Sequence, residues 1–308
     1  MLSDILVRKM AWFQHGARLA GIAVSLYLLG WLVGRWTGNP ELLLTVAVSF
    51  SGLYWALNRW VWKIKENNTP MWLSNTAGSF WVLLFIWGFR SFAWEPFFVP
   101  SGSMNPNLQE GDVLLVEKYA YGLRVPVIGT AIAPKPVAAG DVVVFLFPQD
   151  RSVHFVKRVV GLPGDTLSFA QQQVWVNDKP LIKIPFASLK KEDSNKPFKF
   201  GTSSMTAGKQ IFFEQASSGK LYLTQYNPQT EMPKELPLEL YSFCRQEEGR
   251  TNCKIPEGHV FVMGDHRDNS LDSRFWGLVP THDIKGRAQH IAFNTRQWTP
   301  HQWFQSLD

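Results

Sequence analysis

Residues 77–94 have the sequence AGSFWVLLFIWGFRSFAW, and the character of the chain changes where this run ends. The run carries one charge, Arg90, and is close to the roughly 20 helical residues that a bilayer core of about 30 Å requires. From Phe97 onward the chain instead consists of short β-rich runs separated by Gly, Pro, Asp and Asn. The stretch therefore predicts the boundary between membrane helices and a mostly β domain.

Two further apolar runs precede this boundary, at residues 19–35 and 42–60. Ten of the 14 tryptophans fall within the first 100 residues, where several flank these runs as interfacial aromatic residues do. We expect a membrane anchor at 1–94 with about three transmembrane helices, at 19–35, 42–60 and 77–94. A buried helical hairpin of a soluble protein is the alternative, but three such runs exceed what a soluble core normally contains.

The distribution of basic residues predicts the orientation of these helices. Three basic residues lie in the N-terminal tail and three in the second connection, against one, Arg35, in the first connection. By the positive-inside rule the N-terminus and the second connection are cytoplasmic. Three crossings then place everything after residue 94 on the far side of the membrane, so we expect an anchored and exported domain.

Composition excludes several classes of protein. A chain of 308 residues that is 45% hydrophobic and 18% charged is neither disordered nor collagen-like. Two cysteines and seven scattered histidines offer no zinc spacing, so we expect no metal and no other cofactor. Of the net charge of +6, +4 belongs to residues 1–100, which leaves no basic block for nucleic acid in the polar part.

Eight short runs after the membrane region have the composition of strands. Several follow a Gly-Asp pair, a turn that leads into a strand. The predicted strands are Val113–Val116, Val142–Phe147, His154–Val160, Val174–Val176, Gln210–Phe213, Lys220–Thr224, His259–Met263 and His290–Phe293. They predict a β core at 95–167 and 258–308, interrupted by a polar, β-rich insertion at 168–257.

The insertion contains both cysteines, Cys244 and Cys253. In an exported domain they can form a disulfide that closes a short loop, which contributes on the order of 2–3 kcal/mol to stability. Two free thiols are the alternative, which an oxidising compartment disfavours. Neither cysteine has the neighbouring histidine or helix N-terminus that marks a catalytic thiol.

Residues 100–106, PSGSMNP, place two hydroxyls in a rigid turn only nine residues beyond the last apolar run. Two prolines and a glycine restrict the backbone, so Ser101, Ser103 and the intervening amides are presented together. A nucleophile with an oxyanion pocket requires such an arrangement. By itself, Ser-Gly-Ser is more often an ordinary turn.

Residues 154–160, HFVKRVV, place a lysine on an apolar strand face. Strand alternation puts Phe155, Lys157 and Val159 on the same side. Burial there would disfavour the ammonium, and a pKa lowered by three units would make Lys157 a usable general base. A lysine with its stem on apolar surface and its ammonium in water is the ordinary alternative.

A third segment, residues 263–274, is dense with hydrogen-bonding groups. In an extended chain Ser270, Asp272 and Arg274 share a face, where a hydroxyl and an ion pair can support an opposite group. A calcium loop is excluded because the sixth and twelfth positions lack the required glycine and glutamate. A Ser–His–Asp triad through His266 is not supported either, since the chain has no Gly-x-Ser-x-Gly elbow.

Taken in order, these segments resemble the bacterial type I signal peptidases. The resemblance rests on five motifs: Pro100-Ser101-Gly102-Ser103-Met104, Gly111-Asp112 with Val116-Glu117-Lys118, Gly140-Asp141-Val142-Val143, Lys157-Arg158 with Gly161-Leu162-Pro163-Gly164-Asp165, and Gly264-Asp265 through Arg274. Each motif alone is weak, but five in order are specific. The resemblance covers roughly residues 91–166 and 258–294 and does not reach residues 1–70 or 168–257.

The resemblance implies a membrane-bound serine endopeptidase with a Ser–Lys dyad and a domain of antiparallel β-sheets. Such an enzyme removes signal peptides after small-x-small sequences such as Ala-x-Ala. Ser103 would be the nucleophile and Lys157 the general base, while the Ser103 amide and the Ser101 hydroxyl would form the oxyanion hole. Ser270 would hydrogen-bond the lysine ammonium, and Asp272 with Arg274 would support that loop as an ion pair.

The resemblance also implies a binding site for small side chains, in which the substrate adds as an extended strand. The positions that match it are Phe97, Val99, Pro100, Met104, Leu108, Leu114, Phe155 and Val156. The implied partners are preproteins bearing signal peptides, membrane lipid and a nearby export translocon. The implied location is the bacterial cytoplasmic (inner) membrane, with several spans and the catalytic domain on the periplasmic side.

Two features depart from the family pattern. We predict three spans, where the better-known enterobacterial enzymes have two, and His266 occupies a position that is commonly Asn. A specialised Ser–Lys maturation peptidase of a conjugation or secretion system is an alternative that differs mainly in substrate. A membrane-anchored binding protein without activity is disfavoured, because Ser103 and Lys157 are both present.

Overall fold

The computed structural model describes residues 40–62, 71–126, 130–170, 172–186, 210–227, 240, 242–247, 249–296 and 305–307. The predicted span at 19–35 lies outside these residues. The described residues fall into two compact units. One consists of residues 40–93 with Arg124–Ile132, and the other of Trp94–Leu123 with the residues from Ala133 onward.

The first unit is built on two apolar helices. Helix α1 spans Pro40–Leu57 and continues as a π-helical turn, Asn58–Trp62, and helix α2 spans Met71–Gly88 and continues likewise through Phe89–Ala93. Both predicted runs, at 42–60 and 77–94, are therefore helical over nearly their whole length. Among the described residues, the helix Glu41–Trp60 is long and apolar enough to cross a membrane, whereas the apolar helix Ser79–Ala93 is shorter.

The two helices contact each other through a small apolar cluster. Leu44 and Val48 of α1 are buried with Leu83 of α2. The outward faces are apolar as well, since Phe50 is 63% exposed and Phe85 is 70% exposed. Helices that are apolar all round are typical of a lipid environment.

The second unit is mostly β, as predicted. Of the strands in the described residues, Ala131–Ile132 and the end of Leu123–Arg124 belong to the segment assigned to the first unit. The strands are β1 Trp94–Phe98, β2 Asp112–Glu117, β3 Leu123–Arg124, β4 Ala131–Ile132, β5 Val142–Phe147, β6 Asp150–Gly161, β7 Thr166–Ala170, β8 Gln173–Val176, β9 Lys179–Pro180, β10 Lys183–Pro185, β11 Gln210–Gln215, β12 Leu221–Tyr226, β13 Cys244–Glu247, β14 Arg250–Lys254, β15 His259–Met263, β16 Val279–Pro280, β17 Ile284–Asn294 and β18 Gln305–Ser306. A short helix, α3, spans Ser273–Trp276.

The strands form antiparallel sheets. The largest has the order β1-β2-β17-β5-β6-β15-β16, with β18 added to β17. A five-stranded sheet has the order β13-β14-β7-β8-β9, and a three-stranded sheet the order β10-β11-β12. All eight predicted strands are present. Strands β13 and β14 were not predicted, because their charged sequences CRQE and RTNCK lack apolar alternation.

The large sheet is curled, so that its first strand approaches a distant one. Strands β2, β17 and β5 lie between β1 and β6, and a flat sheet would hold them roughly 19 Å apart at about 4.8 Å per strand. The rings of Phe97 on β1 and His154 on β6 are nevertheless 5.3 Å apart. Register shifts in β17 against β2 supply bulges, which bend a strand.

Apolar clusters cover both faces of the sheet. Val142 and Val144 of β5 pack into one cluster, and Val143 and Phe145 of the same strand pack into another. Because neighbouring side chains of a strand point to opposite faces, β5 needs apolar residues at successive positions. This explains why its sequence, VVVFLF, shows no polar alternation.

The region predicted as an insertion supplies most of the two smaller sheets. The five-stranded sheet begins with β7 at Thr166, so the expected boundary at residue 168 falls within a strand. Cys244 and Cys253 are directly opposite each other on β13 and β14, and their sulfurs are bonded. The disulfide belongs to a buried apolar cluster that also contains Phe261 and Met263 of β15.

Candidate active site

The turn that carries Ser101 and Ser103 is closed at its base by backbone hydrogen bonds. Val99 N–H donates to the Asp112 carbonyl at 2.8 Å, and Gly111 N–H donates to the Val99 carbonyl at 2.9 Å. Between these bonds lies a single 3-10 turn, Gly102–Met104. The Met104 side chain is 1% exposed and anchors the turn in the core, which leaves the neighbouring Ser103 at the surface of the core.

The structure brings the two predicted catalytic residues into direct contact. Lys157 Nζ lies 2.6 Å from Ser103 Oγ, although the residues are 54 positions apart. Lys157 is 5% exposed and lies on the face of β6 predicted from alternation, between Phe155 and Val159 of one apolar cluster. A hydroxyl and an amine at this distance can exchange a proton directly.

Burial lowers the pKa of Lys157 to about 8. Asp272 and Asp265 oppose this shift, while Arg274 adds to it. Since each carboxylate is paired with an arginine of its own, little net negative charge faces the ammonium. Desolvation therefore prevails, and about 10% of the lysine is neutral at pH 7, against about 0.04% for an ordinary lysine.

The first of these carboxylates belongs to the predicted ion pair, Asp272 and Arg274. Arg274 Nε and Nη2 both lie 2.8 Å from Asp272 carboxylate oxygens. Asp272 also caps α3 and accepts the Gly264 N–H at 2.9 Å. Burial alone would raise the pKa of Asp272, but Arg274 and these hydrogen bonds hold it below its ordinary value.

The second carboxylate, Asp265, was not singled out from the sequence. It accepts two hydrogen bonds of 2.7 Å from Arg158, whose remaining Nη1 donates to the Gly140 carbonyl at 2.7 Å. Both side chains are buried. Lys157 and Arg158 are neighbours on β6, so this bidentate pair fixes the strand beside the candidate base.

Ser270 lies close to the site without the predicted contact to the lysine. Its Oγ is buried and makes no hydrogen bond to any residue that the structure describes. The hydroxyl instead packs against Gly264, at a point where Gly264 also approaches the Ser103 carbonyl. The hydrogen bond expected from Ser270 to the lysine ammonium is therefore not formed in this structure, in which the lysine nitrogen contacts Ser103 Oγ.

The predicted oxyanion donors lie beside the candidate nucleophile. The Ser101 hydroxyl donates to Ser103 Oγ at 3.5 Å, and Ser101 is exposed. The Ser103 N–H makes no backbone hydrogen bond within the described part of the chain. One hydroxyl and one amide hydrogen are thus available near the oxygen of Ser103.

Six of the eight predicted substrate-binding residues belong to one apolar cluster. They are Phe97, Val99, Met104, Leu108, Leu114 and Val156. Leu108 and Leu114 are 0% exposed, so they form a floor beneath the surface, whereas Phe97 and Val156 reach it. Pro100 is exposed. Phe155 lies on the other face of β6 from Val156 and packs with Trp276, and its ring centroid is 5.5 Å from Lys157 Nζ, so it adjoins the base instead of the apolar cluster of the other six.

Several residues around the site were missed by reasoning from the sequence. Asn107 Nδ2 donates to Asp265 Oδ2 at 2.6 Å and to the Leu223 carbonyl at 2.7 Å. It thereby connects the serine turn with the insertion. Gln225 of β12 forms a parallel bridge with His266. No local pattern marks such residues, because their partners lie 41 to 158 positions away.

Comparisons with known proteins show which family the chain resembles. The family model of signal peptidase, peptidase S26, matches residues 73–293, a range that contains all the candidate residues above. A signal peptidase I of Pseudomonas aeruginosa is 35% identical over 236 residues, which cover 73% of each chain. A signal peptidase I of Haemophilus influenzae is 30% identical over 309 residues, covering 82% of this chain and 84% of that protein.

Among solved structures, a crystal structure of a signal peptidase I from Enterococcus faecalis V583 matches this chain. The TM-score is 0.29 and the sequence identity is 22%. The match covers 50% of this chain and 97% of that chain.

Proposed function

The chain belongs to the signal peptidase family, peptidase S26, and from this premise we propose that it cleaves signal peptides through a Ser103–Lys157 dyad. Its substrates would be exported preproteins, cut after small-x-small sequences such as Ala-x-Ala. The observation that carries the mechanism is the 2.6 Å contact between Lys157 Nζ and Ser103 Oγ in a buried setting. A base with a pKa of about 8 is suited to remove a proton from a serine hydroxyl near neutral pH.

The reaction proceeds in two steps. The neutral amine of Lys157 accepts the Ser103 proton while Oγ attacks the scissile carbonyl, and the new ammonium then donates that proton to the departing amine of the mature protein. The signal peptide is left as an ester on Ser103. A water molecule, deprotonated by Lys157, attacks the ester, and Lys157 returns that proton to the departing Ser103 oxygen. The peptide leaves as a carboxylic acid, which loses its proton to solvent near neutral pH.

The negative charge of each tetrahedral intermediate needs hydrogen-bond donors beside Ser103. We assign this role to the Ser103 N–H and the Ser101 hydroxyl, since the first makes no backbone bond among the described residues and the second lies 3.5 Å from Oγ. A preformed donor of this kind contributes about 10²–10³ in rate. Asp272 and Arg274 would support the neighbouring loop as a closed ion pair.

The substrate would bind as an extended strand along β6. Residues 150–157 of β6 pair with β5 on one side, whereas β15 begins to pair only at Arg158. Among the described strands, the edge next to Lys157 is thus open for strand addition. Phe97 and Val156 lie beside this edge with an apolar floor beneath them, which favours small apolar side chains over charged ones.

The apolar helix Glu41–Trp60 supports anchoring in a lipid bilayer. We propose a multi-pass protein of the bacterial cytoplasmic membrane whose catalytic domain is periplasmic. The disulfide Cys244–Cys253 agrees with an oxidising compartment.

The test is cleavage of a purified preprotein, whose signal peptide ends in Ala-x-Ala, by detergent-solubilised wild type and by Ser103→Ala. We expect wild type alone to cut at that junction. Cleavage by both proteins would show that Ser103 is not the nucleophile. Cleavage by neither folded protein would reject the proposed substrate class. A Ser168→Ala variant serves as a matched control and should cut like wild type, because the same substitution removes a buried hydroxyl of the five-stranded sheet instead of one beside the dyad.

A further inference from the structure

The insertion contributes a hairpin that is bonded to the segment following β15. The insertion hairpin consists of β11 and β12, residues 210–226. Gln225 N–H donates to the Asp265 carbonyl at 2.9 Å, and Arg267 N–H donates to the Gln225 carbonyl at 2.9 Å. These two bonds hold the backbone around His266 in parallel register with β12.

A buried ion pair reinforces the same junction. Arg267 Nη2 lies 2.6 Å from Glu214 Oε2, and the Tyr226 hydroxyl donates to Glu214 Oε1 at 2.6 Å while it accepts from Arg267 Nη1 at 3.1 Å. Glu214 is 0% exposed and Arg267 2% exposed. A buried charge keeps its favourable energy only while its partner stays in place, so the hairpin and the segment are held as one body.

From this segment His266 reaches the serine turn. Its backbone N–H donates to the Ser103 carbonyl at 3.1 Å. Its ring Nδ1 lies 3.3 Å from the Gly102 carbonyl oxygen, and its Nε2 lies 3.2 Å from the Gln225 side-chain amide nitrogen. A carbonyl oxygen only accepts, so Nδ1 carries the hydrogen, and Nε2 accepts from the Gln225 amide.

The Gly102 carbonyl belongs to the peptide group whose N–H is that of Ser103. Because a peptide group is planar and trans, a hydrogen bond at the oxygen fixes the direction of the N–H on the opposite side. It also polarises the amide, which makes the N–H a stronger donor. A hydrogen bond to the Gly102 carbonyl oxygen thus acts directly on the Ser103 N–H, the donor assigned to the oxyanion.

We propose that His266 is a positioning residue that orients the Gly102–Ser103 peptide group, and that the insertion hairpin holds its imidazole through Gln225. The inference rests on the proposed function, since it concerns the amide assigned to the oxyanion. It gives the insertion a role in catalysis without any contact to the substrate. The effect is expected on kcat, because the amide bonds more strongly to the oxyanion than to the substrate carbonyl.

Substitution of His266 by Asn or by Gln tests the contributions of its two ring nitrogens separately. In His266→Asn the amide nitrogen occupies the place of Nδ1 and keeps the donated bond to the Gly102 carbonyl, whereas in His266→Gln the amide oxygen can occupy the place of Nε2 and accept from the Gln225 amide. We expect kcat to fall by about 10- to 100-fold in His266→Ala and His266→Gln, with KM within about twofold. His266→Asn should recover kcat to within about threefold of wild type.

Gln225→Ala tests the hairpin, because the substitution removes the amide that holds Nε2 while the backbone bonds of Gln225 remain. We expect an intermediate fall in kcat, about three- to tenfold, again with KM unchanged. Val174→Ala is the matched control: Val174 is buried in the five-stranded sheet, so this variant should unfold at a lower temperature with an unchanged kcat.

Hydrogen exchange supplies a readout that needs no substrate. The Asn105 N–H donates to the Gly102 carbonyl at 3.1 Å, so its exchange reports on the same oxygen. We expect faster exchange in peptides spanning residues 100–108 for His266→Ala and Gln225→Ala, and wild-type exchange for Val174→Ala. If both substitutions left exchange unchanged, the positioning role would be excluded.

These experiments distinguish a failure of the proposed function from a failure of the positioning role. Absence of cleavage by wild type rejects the proposed function, and the exchange data then decide the positioning role alone. Cleavage by wild type together with an undiminished kcat in folded His266→Ala overturns the positioning role and leaves the proposed function intact.

Discussion

At the scale of single residues, the candidate site depends on one lysine in an apolar setting. Lys157 is 5% exposed, and both nearby carboxylates are already neutralised by arginines. The lysine therefore gains little from these charges and loses its hydration, which lowers its pKa to about 8. The value decides in which pH range the amine can act as a base.

We predict that kcat/KM rises about tenfold per pH unit below pH 8 and levels off above it. Activity rises with pH because the neutral amine of Lys157 is the reactive form. Since the pKa of its ammonium is lowered, this neutral form appears at a lower pH than in an ordinary lysine. The measurement is preprotein cleavage between pH 6 and 10, with the Ser103→Ala rate subtracted at each pH. A flat profile below pH 8 would exclude Lys157 as the base, as would full activity in folded Lys157→Ala.

Gly264 is a second residue on which the site depends. A Cβ at this position would lie 2.5 Å from the Ser103 carbonyl oxygen and still closer to Ser270 Oγ. We predict that Gly264→Ala lowers kcat at least about 100-fold, because a small displacement of the nucleophile is costly. Gly161→Ala is the control, since its Cβ would meet Ile255 and Leu167 instead. That variant should lose stability and keep its kcat; equal kcat losses in both variants would contradict the argument.

At the scale of elements, β6 has different neighbours along its length. Its first part pairs with β5, Arg158 pairs with both β5 and β15, and Val159 and Gly161 pair with β15. The change occurs at Lys157 and Arg158, so the candidate base lies where a covered strand becomes an open edge. A substrate strand added to this edge would end next to Ser103, which explains why a strand carries the base.

The sheet that contains β13 and β14 is fastened by the disulfide. We predict that the double variant Cys244→Ser, Cys253→Ser loses about 2–3 kcal/mol in the free energy of unfolding, because the bond closes a loop with a sequence separation of 9. The measurement is denaturant unfolding of the variant and of wild type. We expect kcat to stay unchanged, because the hydrogen bonds described above for Ser103, Lys157, Asp265 and Asp272 come from other elements. A variant of equal stability would show that the bond contributes nothing.

At the scale of the whole molecule, the chain combines apolar helices with a β domain that carries a disulfide. The two parts need different surroundings, since one has outward-facing apolar side chains and the other forms its sulfur bond under oxidising conditions. An enzyme that acts on exported proteins gains from having both in one chain. Its topology can be tested directly.

We predict that alkaline phosphatase, which folds only outside the cytoplasm, is active when fused after Gly38 or after Asp308 and inactive when fused after Glu66. This pattern follows from three crossings with the N-terminus in the cytoplasm, as the distribution of basic residues indicates. The measurement is phosphatase activity in intact cells, normalised to the amount of fusion protein. An inactive fusion at Gly38 would show that the first predicted crossing is absent. An inactive fusion at Asp308 would contradict export of the β domain.

The sequence by itself determined the types of elements and made Ser103 and Lys157 candidates for the two central residues. Apolar runs and strand alternation act over a few neighbouring positions, so α1, α2 and the eight predicted strands could be inferred locally. The face of Lys157 on β6 followed from the same alternation. Ser103 was a candidate because a Pro-Ser-Gly-Ser turn restricts its own backbone, and the resemblance to the signal peptidases favoured it over an ordinary turn.

Only the tertiary structure decided which groups meet. The curl of the large sheet brings β1 close to β6, and the contact of Ser103 with Lys157 joins residues 54 positions apart. It also left the buried Ser270 hydroxyl without a hydrogen bond among the described residues and placed the insertion hairpin against His266. Such contacts depend on strand order and on bulges summed over many residues, and no local pattern in a single chain encodes that sum.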